Sequence, residues 1–409
     1  MTFVSRCDRG VEPVQRVEDG PWRVGVLFSS SGYTAIVEST QLQGTLVAID
    51  EINARGGVLG RPIEPVIYDP GSDPCAFARC ARRLMVEDRV RTIFGCYTSS
   101  SRKAVVPVVE RLDGLLWYPT VYEGFEYSPN VIYTGAAPNQ TCVILCRYLM
   151  RQFGTRFFFV GSDYVYPRET NRIMRNLIVE NGGSVVGERY LPLWAPRSDF
   201  LALLAEVRSA APDVIFSTVV GEATVYLYQS YADVGFDPKT TPIASITTTE
   251  AEISAMGADV GEGHFTASPY FASVTNRTNS ELLDKLRARL GEGVCLNAAF
   301  EAAYFQVHLF AEALARAGST HPDILRPFAL RSEVEAPQGR VSLDPATGHA
   351  ALWARIGKAN RKGQFDVIFE TREPVAADPY LIGTGRGSAL CPTCGRDRRR
   401  WPPGCSSAS

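Results

Sequence analysis

The chain runs through the same strand–helix alternation twice, and this repetition constrains its fold more than any other feature. In the first series the apolar run Arg23–Phe28 ends in the loop Ser29–Gly32. Leu42, Leu46, Ile49 and Ile52 then recur at helical spacing until Gly56–Gly57 stops the helix. Ile63–Tyr68 reads as a strand, Cys75–Val86 as a helix and Thr92–Phe94 as a strand; a helix opening near Ser99 and a strand at Leu115–Trp117 follow. The second series begins with the strand Phe157–Gly161. Ile173, Met174, Leu177 and Ile178 mark a helix closed by Asn181–Gly182–Gly183, followed by strand Val185–Tyr190, helix Phe200–Val207 and strand Asp213–Thr218. The two glycine pairs hold equivalent places, as do Arg91–Phe94 and Asp213–Phe216. Such alternation implies a parallel sheet with helices on both faces.

The expected architecture is therefore α/β: two similar lobes, each a mainly parallel sheet flanked by helices, joined by hinge crossovers. Its expected parts are an N-terminal extension (1–22), lobe 1 (23–137 plus 270–340), lobe 2 (138–269 plus 341–382) and a disordered tail (383–409). The late part of the chain adds a long helix over Asn297–Ala317. Two hairpins are expected, Gly339–Leu343 with Leu352–Ile356, and Phe365–Phe369 after the turn Lys362–Gly363.

Two lobes also suit a length of 409 residues, more than one core usually serves. With 42 basic against 44 acidic residues there is no excess charge to neutralise phosphates, so direct nucleic-acid binding by the main body is not expected. Arg396 and Arg398–Arg400 read as a solvated end. No run approaches the roughly 18 apolar residues of a membrane span. Met1 to Trp22 is charged and lacks the apolar core of a standard secretory signal. Ten cysteines are scattered without a disulfide framework, and Cys142 and Cys146, four apart on a helix, suit packing. These features point to the cytoplasm, with the periplasm as the alternative. Cys391, Cys394 and Cys405 are one ligand short of a closed zinc site. The four histidines show no metal spacing, and no nucleophile elbow, Walker loop or zinc-protease motif occurs. A non-enzyme without metal or cofactor is expected.

Three loops past strand C-termini carry the chemistry, at the place where open α/β sheets hold ligands. Gly95–Ser101 supplies Tyr97 and Ser99 ahead of a helix, Trp117–Tyr122 supplies Tyr118 and Thr120, and Gly161–Glu169 supplies Tyr164 and Tyr166 from the second lobe. Tyrosine and threonine offer hydrogen bonds in both directions beside apolar faces, which suits a neutral amide. Asp163 and Arg168 are the charged exceptions, Asp163 expected to shape its loop and Arg168 to face away.

The runs Gly95-Cys96-Tyr97, Ser101–Val105, Pro107–Arg111, Tyr118-Pro119-Thr120 and Tyr122–Asn130 resemble the AmiC family of amide sensors. Gly161–Tyr164 with Tyr166–Glu169, Phe216–Gly221 and Ala336–Gly339 continue the resemblance, which covers roughly Arg23 to Leu381. It departs at Val121, where the family loop has proline, and around Thr98-Ser99-Ser100. The resemblance implies the type I periplasmic-binding fold, with Tyr97, Ser99, Tyr118, Thr120, Tyr164 and Tyr166 as ligand residues. It also implies a sensor of short aliphatic amides that sequesters an RNA-binding antiterminator of the AmiR type and so restrains an amidase operon. Trp117-Tyr118-Pro119 and Tyr133–Gln140 are as similar to urea-binding components of ABC importers. That alternative replaces the antiterminator by a membrane permease. Self-association is left open under either reading.

Overall fold

Short apolar runs bounded by glycine, proline and hydroxyl residues become the strands of two main sheets and a small third one, and the amphipathic stretches between them become covering helices. The computed structural model describes residues 20–291 and 295–382, so the tail and its three cysteines lie outside the described residues. The first series comprises β1 (Trp22–Leu27), α1 (Ala35–Ala54), β2 (Ile63–Tyr68), α2 (Pro74–Val86), β3 (Thr92–Gly95), α3 (Ser99–Arg111), β4 (Leu115–Tyr118) and β5 (Val131–Tyr133). The second comprises α4 (Pro138–Gln152), β6 (Arg156–Ser162), α5 (Val165–Glu180), β7 (Ser184–Leu191), α6 (Arg197–Ala210) and β8 (Val214–Thr218). It continues through α7 (Glu222–Asp233), β9 (Ile243–Ser245), α8 (Glu250–Met256), α9 (Ala258–Gly261) and β10 (Phe265–Ser268).

The first sheet has the order β2-β1-β3-β4-β5, all parallel. The second contains β7-β6-β8-β9-β10, also parallel, so the two lobes repeat one topology strand for strand. After β10 the chain forms α10 (Arg277–Leu290), α11 (Ala298–Ala317), α12 (Pro322–Ala329), β11 (Glu333–Ala336), β12 (Gly339–Leu343) and β13 (Ala350–Ala351). It ends its regular structure with β14 (Arg355–Ala359) and β15 (Phe365–Glu370), antiparallel strands on the second sheet beside β10.

Helix α11 returns to the first lobe and lies on α1. A Cβ at Gly44 would meet the Phe300 carbonyl oxygen at 2.3 Å, so only glycine permits this approach of the two backbones. The apolar face of α11 reaches the sheet through Phe310, edge-on to Phe94 at 5.3 Å and to Trp117 at 6.1 Å.

One expected hairpin does not form. Gly339–Leu343 pairs with β11 and with β13, not with Leu352–Ile356. The turn Asp344–His349, closed by Gly348 N–H to Asp344 O at 2.8 Å, returns the chain after only two paired residues, and β14 leaves for the second sheet. The expected lobe boundary at 340 falls inside β12. The chain passes between lobes after β5, after β10 and after β13.

Candidate functional site

The cleft between the lobes is built where the parallel strands of both sheets end, beside the three crossovers. Its empty space, counting the mouth, is about 620 Å³. Lobe 1 contributes Tyr97 after β3, Thr120 after β4, Thr134 and Gly135 after β5, and Gln41 from α1. Lobe 2 contributes Ile246–Thr249 after β9, and Thr266 and Ser268 of β10. Glu301, Ala302 and Phe305 of α11 and Gln338 complete the wall.

Local backbone chemistry aims these groups. Cys96 holds a left-handed conformation (φ 72) while its N–H donates to Leu27 O at 3.0 Å and its carbonyl accepts the Thr120 hydroxyl at 3.1 Å. That kink projects Tyr97 into the cleft. Thr98 then caps α3, its hydroxyl accepting the Ser101 N–H at 3.1 Å. Gly135 is required because a Cβ there would lie 2.0 Å from the Thr120 carbonyl oxygen.

The lining is rich in hydroxyls and poor in charge. Among the described residues that line it, none is basic, and Glu301 is the sole carboxyl. Burial pushes the Glu301 carboxyl up to about 8, although Gln338 donates to both its oxygens, from its backbone N–H at 3.2 Å and its side-chain amide at 2.9 Å. Near neutrality this acid therefore holds a proton. Gln41 donates to the Thr120 hydroxyl at 2.9 Å, and its Oε1 is buried without a hydrogen-bond partner. The hydroxyls of Thr141 and Thr266, which also line the cleft, are likewise unpartnered. Buried groups of this kind cost stability unless something pairs with them.

Of the residues singled out from sequence, Tyr97 and Thr120 line the cleft. Tyr118 lies behind it, fully buried, donating to the Tyr97 carbonyl at 3.1 Å. Tyr164 and Tyr166, with ring centroids 6.1 Å apart, do not line it either; Tyr166 is buried in the apolar cluster that also holds Tyr97, and Tyr164 packs against that cluster. The Tyr166 hydroxyl is buried and unpartnered. Ser99 is committed elsewhere: its hydroxyl donates to Glu123 at 2.5 Å and accepts from Arg102 at 3.1 Å. Asp163 and Arg168 pair with each other at 2.7 Å on the exposed surface. The motif-led reading passed over Gln41, Thr134, Thr247–Thr249, Thr266 and Glu301. The Thr247-Thr248-Thr249 run just past β9 obeys the same strand-end rule, and Glu301, an acid in the first turn of the apolar, alanine-rich α11, was the other available signal.

Behind the β3 and β4 loops lies a buried charge cluster. Arg102, with no exposed side chain, donates to Glu123 at 2.9 Å and to Glu126 at 2.7 Å, and Lys103 reaches Glu126 at 2.9 Å. The Arg102 guanidinium also sits 4.8 Å from the Tyr118 ring and 4.9 Å from that of Tyr122. Tyr122 continues into a stack with Tyr133 and His349.

Contacts between the lobes include two at loops. The Glu222 N–H at the start of α7 donates to the Tyr33 carbonyl at 3.1 Å, and Arg172 of α5 lies over the Phe125 ring at 5.3 Å. Gly221 allows the first: its φ is 69, and a Cβ would stand 2.3 Å from Tyr33 O.

Comparison with known proteins agrees with this architecture. The chain is 23% identical over 373 residues to the Leu/Ile/Val-binding protein homolog 6 of Brucella melitensis, covering 88% of this chain and 93% of that one. It is 24% identical over 319 residues to the leucine-, isoleucine-, valine-, threonine- and alanine-binding protein of Pseudomonas aeruginosa, covering 77% and 83%. A local match of 129 residues at 25% identity to a limonene hydroxylase of Geobacillus stearothermophilus spans only 24% of that protein. Among solved structures, the solute-binding protein of an R. palustris ABC transporter in complex with 4-hydroxybenzoate superposes with a TM-score of 0.78 at 21% identity, covering 88% of this chain and 99% of that one. A branched-chain amino acid transporter substrate-binding protein from Streptococcus pneumoniae, in complex with isoleucine, gives 0.75 at 20%, covering 87% and 99%. The family model described as periplasmic binding protein domain matches residues 22–385. With that match spanning both lobes and the cleft between them, the chain belongs to the periplasmic binding protein domain family and is a binding protein rather than an enzyme.

Proposed function

We propose that this chain is the substrate-binding component of an ABC importer and that it closes on a small uncharged molecule of amide or urea type. The observation that carries the ligand class is the set of unpartnered atoms in the cleft: Gln41 Oε1 accepts, and the Thr141 and Thr266 hydroxyls do either. An amide offers N–H donors and one carbonyl acceptor to match. A carboxylate ligand would be desolvated with no positive side chain among the described lining residues, and an ammonium would face a Glu301 that is protonated near neutrality. The transporter assignment is supported by the two solved transporter binding proteins named above, each covered over 99% of its length.

A second reading keeps the same site and changes the partner. The tracts Phe125-Glu126-Tyr127 and Tyr166-Pro167-Arg168-Glu169 favour an AmiC-like cytoplasmic sensor that holds an AmiR-type antiterminator until a short amide releases it. Cell fractionation separates the two: a periplasmic or membrane-anchored pool supports the importer component, and a cytoplasmic pool co-purifying with an RNA-binding partner supports the sensor.

The ligand class is tested by calorimetry with acetamide, propionamide, urea, leucine and benzoate. Acetamide or urea is expected to bind, and Thr120→Val is expected to weaken that binding at least tenfold, because it leaves the Gln41 amide without its acceptor. Tyr164→Ala is expected to weaken it too, by removing the aromatic support on the lobe 2 side. Leucine or benzoate binding while all three neutral compounds stay inert would overturn the reading.

The Glu222–Tyr33 hydrogen bond is one of the contacts that hold the lobes together. Gly221→Val cannot keep the Glu222–Tyr33 hydrogen bond, since its side chain meets the carbonyl and its φ is unfavourable. At saturating acetamide this variant is expected to show a larger radius of gyration by small-angle scattering than the parent, with unchanged far-UV circular dichroism. Equal radii would show that the contact does not hold the lobes.

A further inference from the structure

The cleft shares a wall with a second cavity, about 580 Å³ with its mouth. Leu282, Tyr304 and Ala336, all buried, line that cavity with His308, the exposed charges Arg55, Glu281, Lys285 and Glu335 line it on the solvent side, and Phe305, 1% exposed, lines both spaces. The pattern follows from helical spacing. On α11, Glu301, Ala302 and Phe305 face the cleft, whereas Tyr304, Phe305 and His308 face the second cavity, so Phe305 stands where the two faces meet. The β11–β12 connection repeats the division, with Ala336 on the far side and Gln338 on the near side. On the far side His308 Nε2 is buried without a hydrogen-bond partner, and Tyr304 packs edge-on against the imidazole at 4.6 Å.

We infer that Phe305 sets the length of ligand this protein accepts, its ring being the partition between the cleft and further space that would take an alkyl chain. The inference rests on the cleft being the site of a small neutral amide, and it adds that short ligands are selected by one side chain rather than by the depth of the fold. Beyond the ring, Leu282 and Ala336 offer apolar walls, and the His308 nitrogen offers a polar end point.

The test titrates acetamide and hexanamide into the parent protein, Phe305→Ala and Phe305→Leu by calorimetry. Melting curves identify folded variants, and the leucine variant, which removes less volume, stands in if the alanine variant does not fold. Hexanamide is expected to bind at least tenfold more tightly to Phe305→Ala than to the parent, with a smaller gain for Phe305→Leu and no gain in acetamide affinity. Hexanamide binding no tighter in either folded variant than in the parent overturns the partition, whatever acetamide does. Failure of acetamide to bind the parent, with hexanamide gained by the variant, counts against the short-amide reading and supports the partition.

Discussion

Replacing Arg102 with methionine is expected to lower the unfolding free energy by about 3–5 kcal/mol, the usual cost of removing one partner from a buried ion pair. The reason lies in what stays behind. Glu123 and Glu126, 3% and 15% exposed, would keep two carboxylates beside each other with only the half-exposed Lys103 to answer them. Burial raises the Glu126 carboxyl, but Arg102 and Lys103 outweigh it and hold that group down at about 2, so it is ionised throughout the neutral range. Urea denaturation at pH 7 measures the loss. The triple variant R102M/E123Q/E126Q is the control: without stranded charge it should recover much of the lost stability. The single variant should also weaken ligand binding, because Arg102 supports Ser99 and Tyr118, and Tyr118 in turn holds the Tyr97 carbonyl. A loss below about 1 kcal/mol would mean that the cluster is solvated in solution and does not anchor these loops.

That cluster marks the limit of what could be read from the chain alone. The lobes were legible because a strand of four to eight apolar residues and a helix of amphipathic period each leave a local signature, and the glycine pairs Gly56–Gly57 and Gly182–Gly183 punctuate both series alike. The identical strand orders go beyond that signature: right-handed crossovers narrow the possible orders without choosing one. The strand-end loops were legible from the same local signature, and Tyr97 and Thr120 do line the cleft. The role of Ser99 was not: its hydroxyl is claimed by Glu123, 24 positions away, and no local pattern shows such a pairing. Glu301 and Gln338 meet across 37 positions in the same way. The hairpin error has a similar origin. Apolar runs at Gly339–Leu343 and Leu352–Ile356 are equally plausible partners by pattern, and the competing strands β11 and β10 decide the pairing.

Stability is expected to be highest near pH 5 and to fall by roughly 5 kcal/mol by pH 8.5, an order-of-magnitude sum over the groups that burial shifts. On the alkaline side, burial pushes Glu38, Glu250 and Glu252 up to about 7 and Glu301 up to about 8, from an ordinary 4.5. The folded chain therefore holds protons that the unfolded chain has released, and each pH unit climbed toward 7 or 8 costs stability. Burial pushes His308 and His349 down to about 4 from 6.5, and His264 lower still. Below pH 6.5 the unfolded chain gains protons at these rings that the folded chain refuses. The two sets come closest to cancelling near pH 5, and as the unfolded chain's histidines lose their protons toward pH 7 the carboxyls act alone. Glu252 allows a clean dissection. Its Oε2 accepts the Thr249 N–H at 2.9 Å and the Thr249 hydroxyl at 2.6 Å in a capping box, while its Oε1 is buried and unpartnered. Glutamine keeps the accepting oxygen and places an uncharged amide on the other side. Glu252→Gln should leave stability at pH 5 within about 1 kcal/mol of the parent and raise it at pH 8.5 by on the order of 2–3 kcal/mol. Urea midpoints at the two pH values decide the matter: equal shifts at both would show that Glu252 ionises freely in the folded chain and takes no part in the alkaline loss.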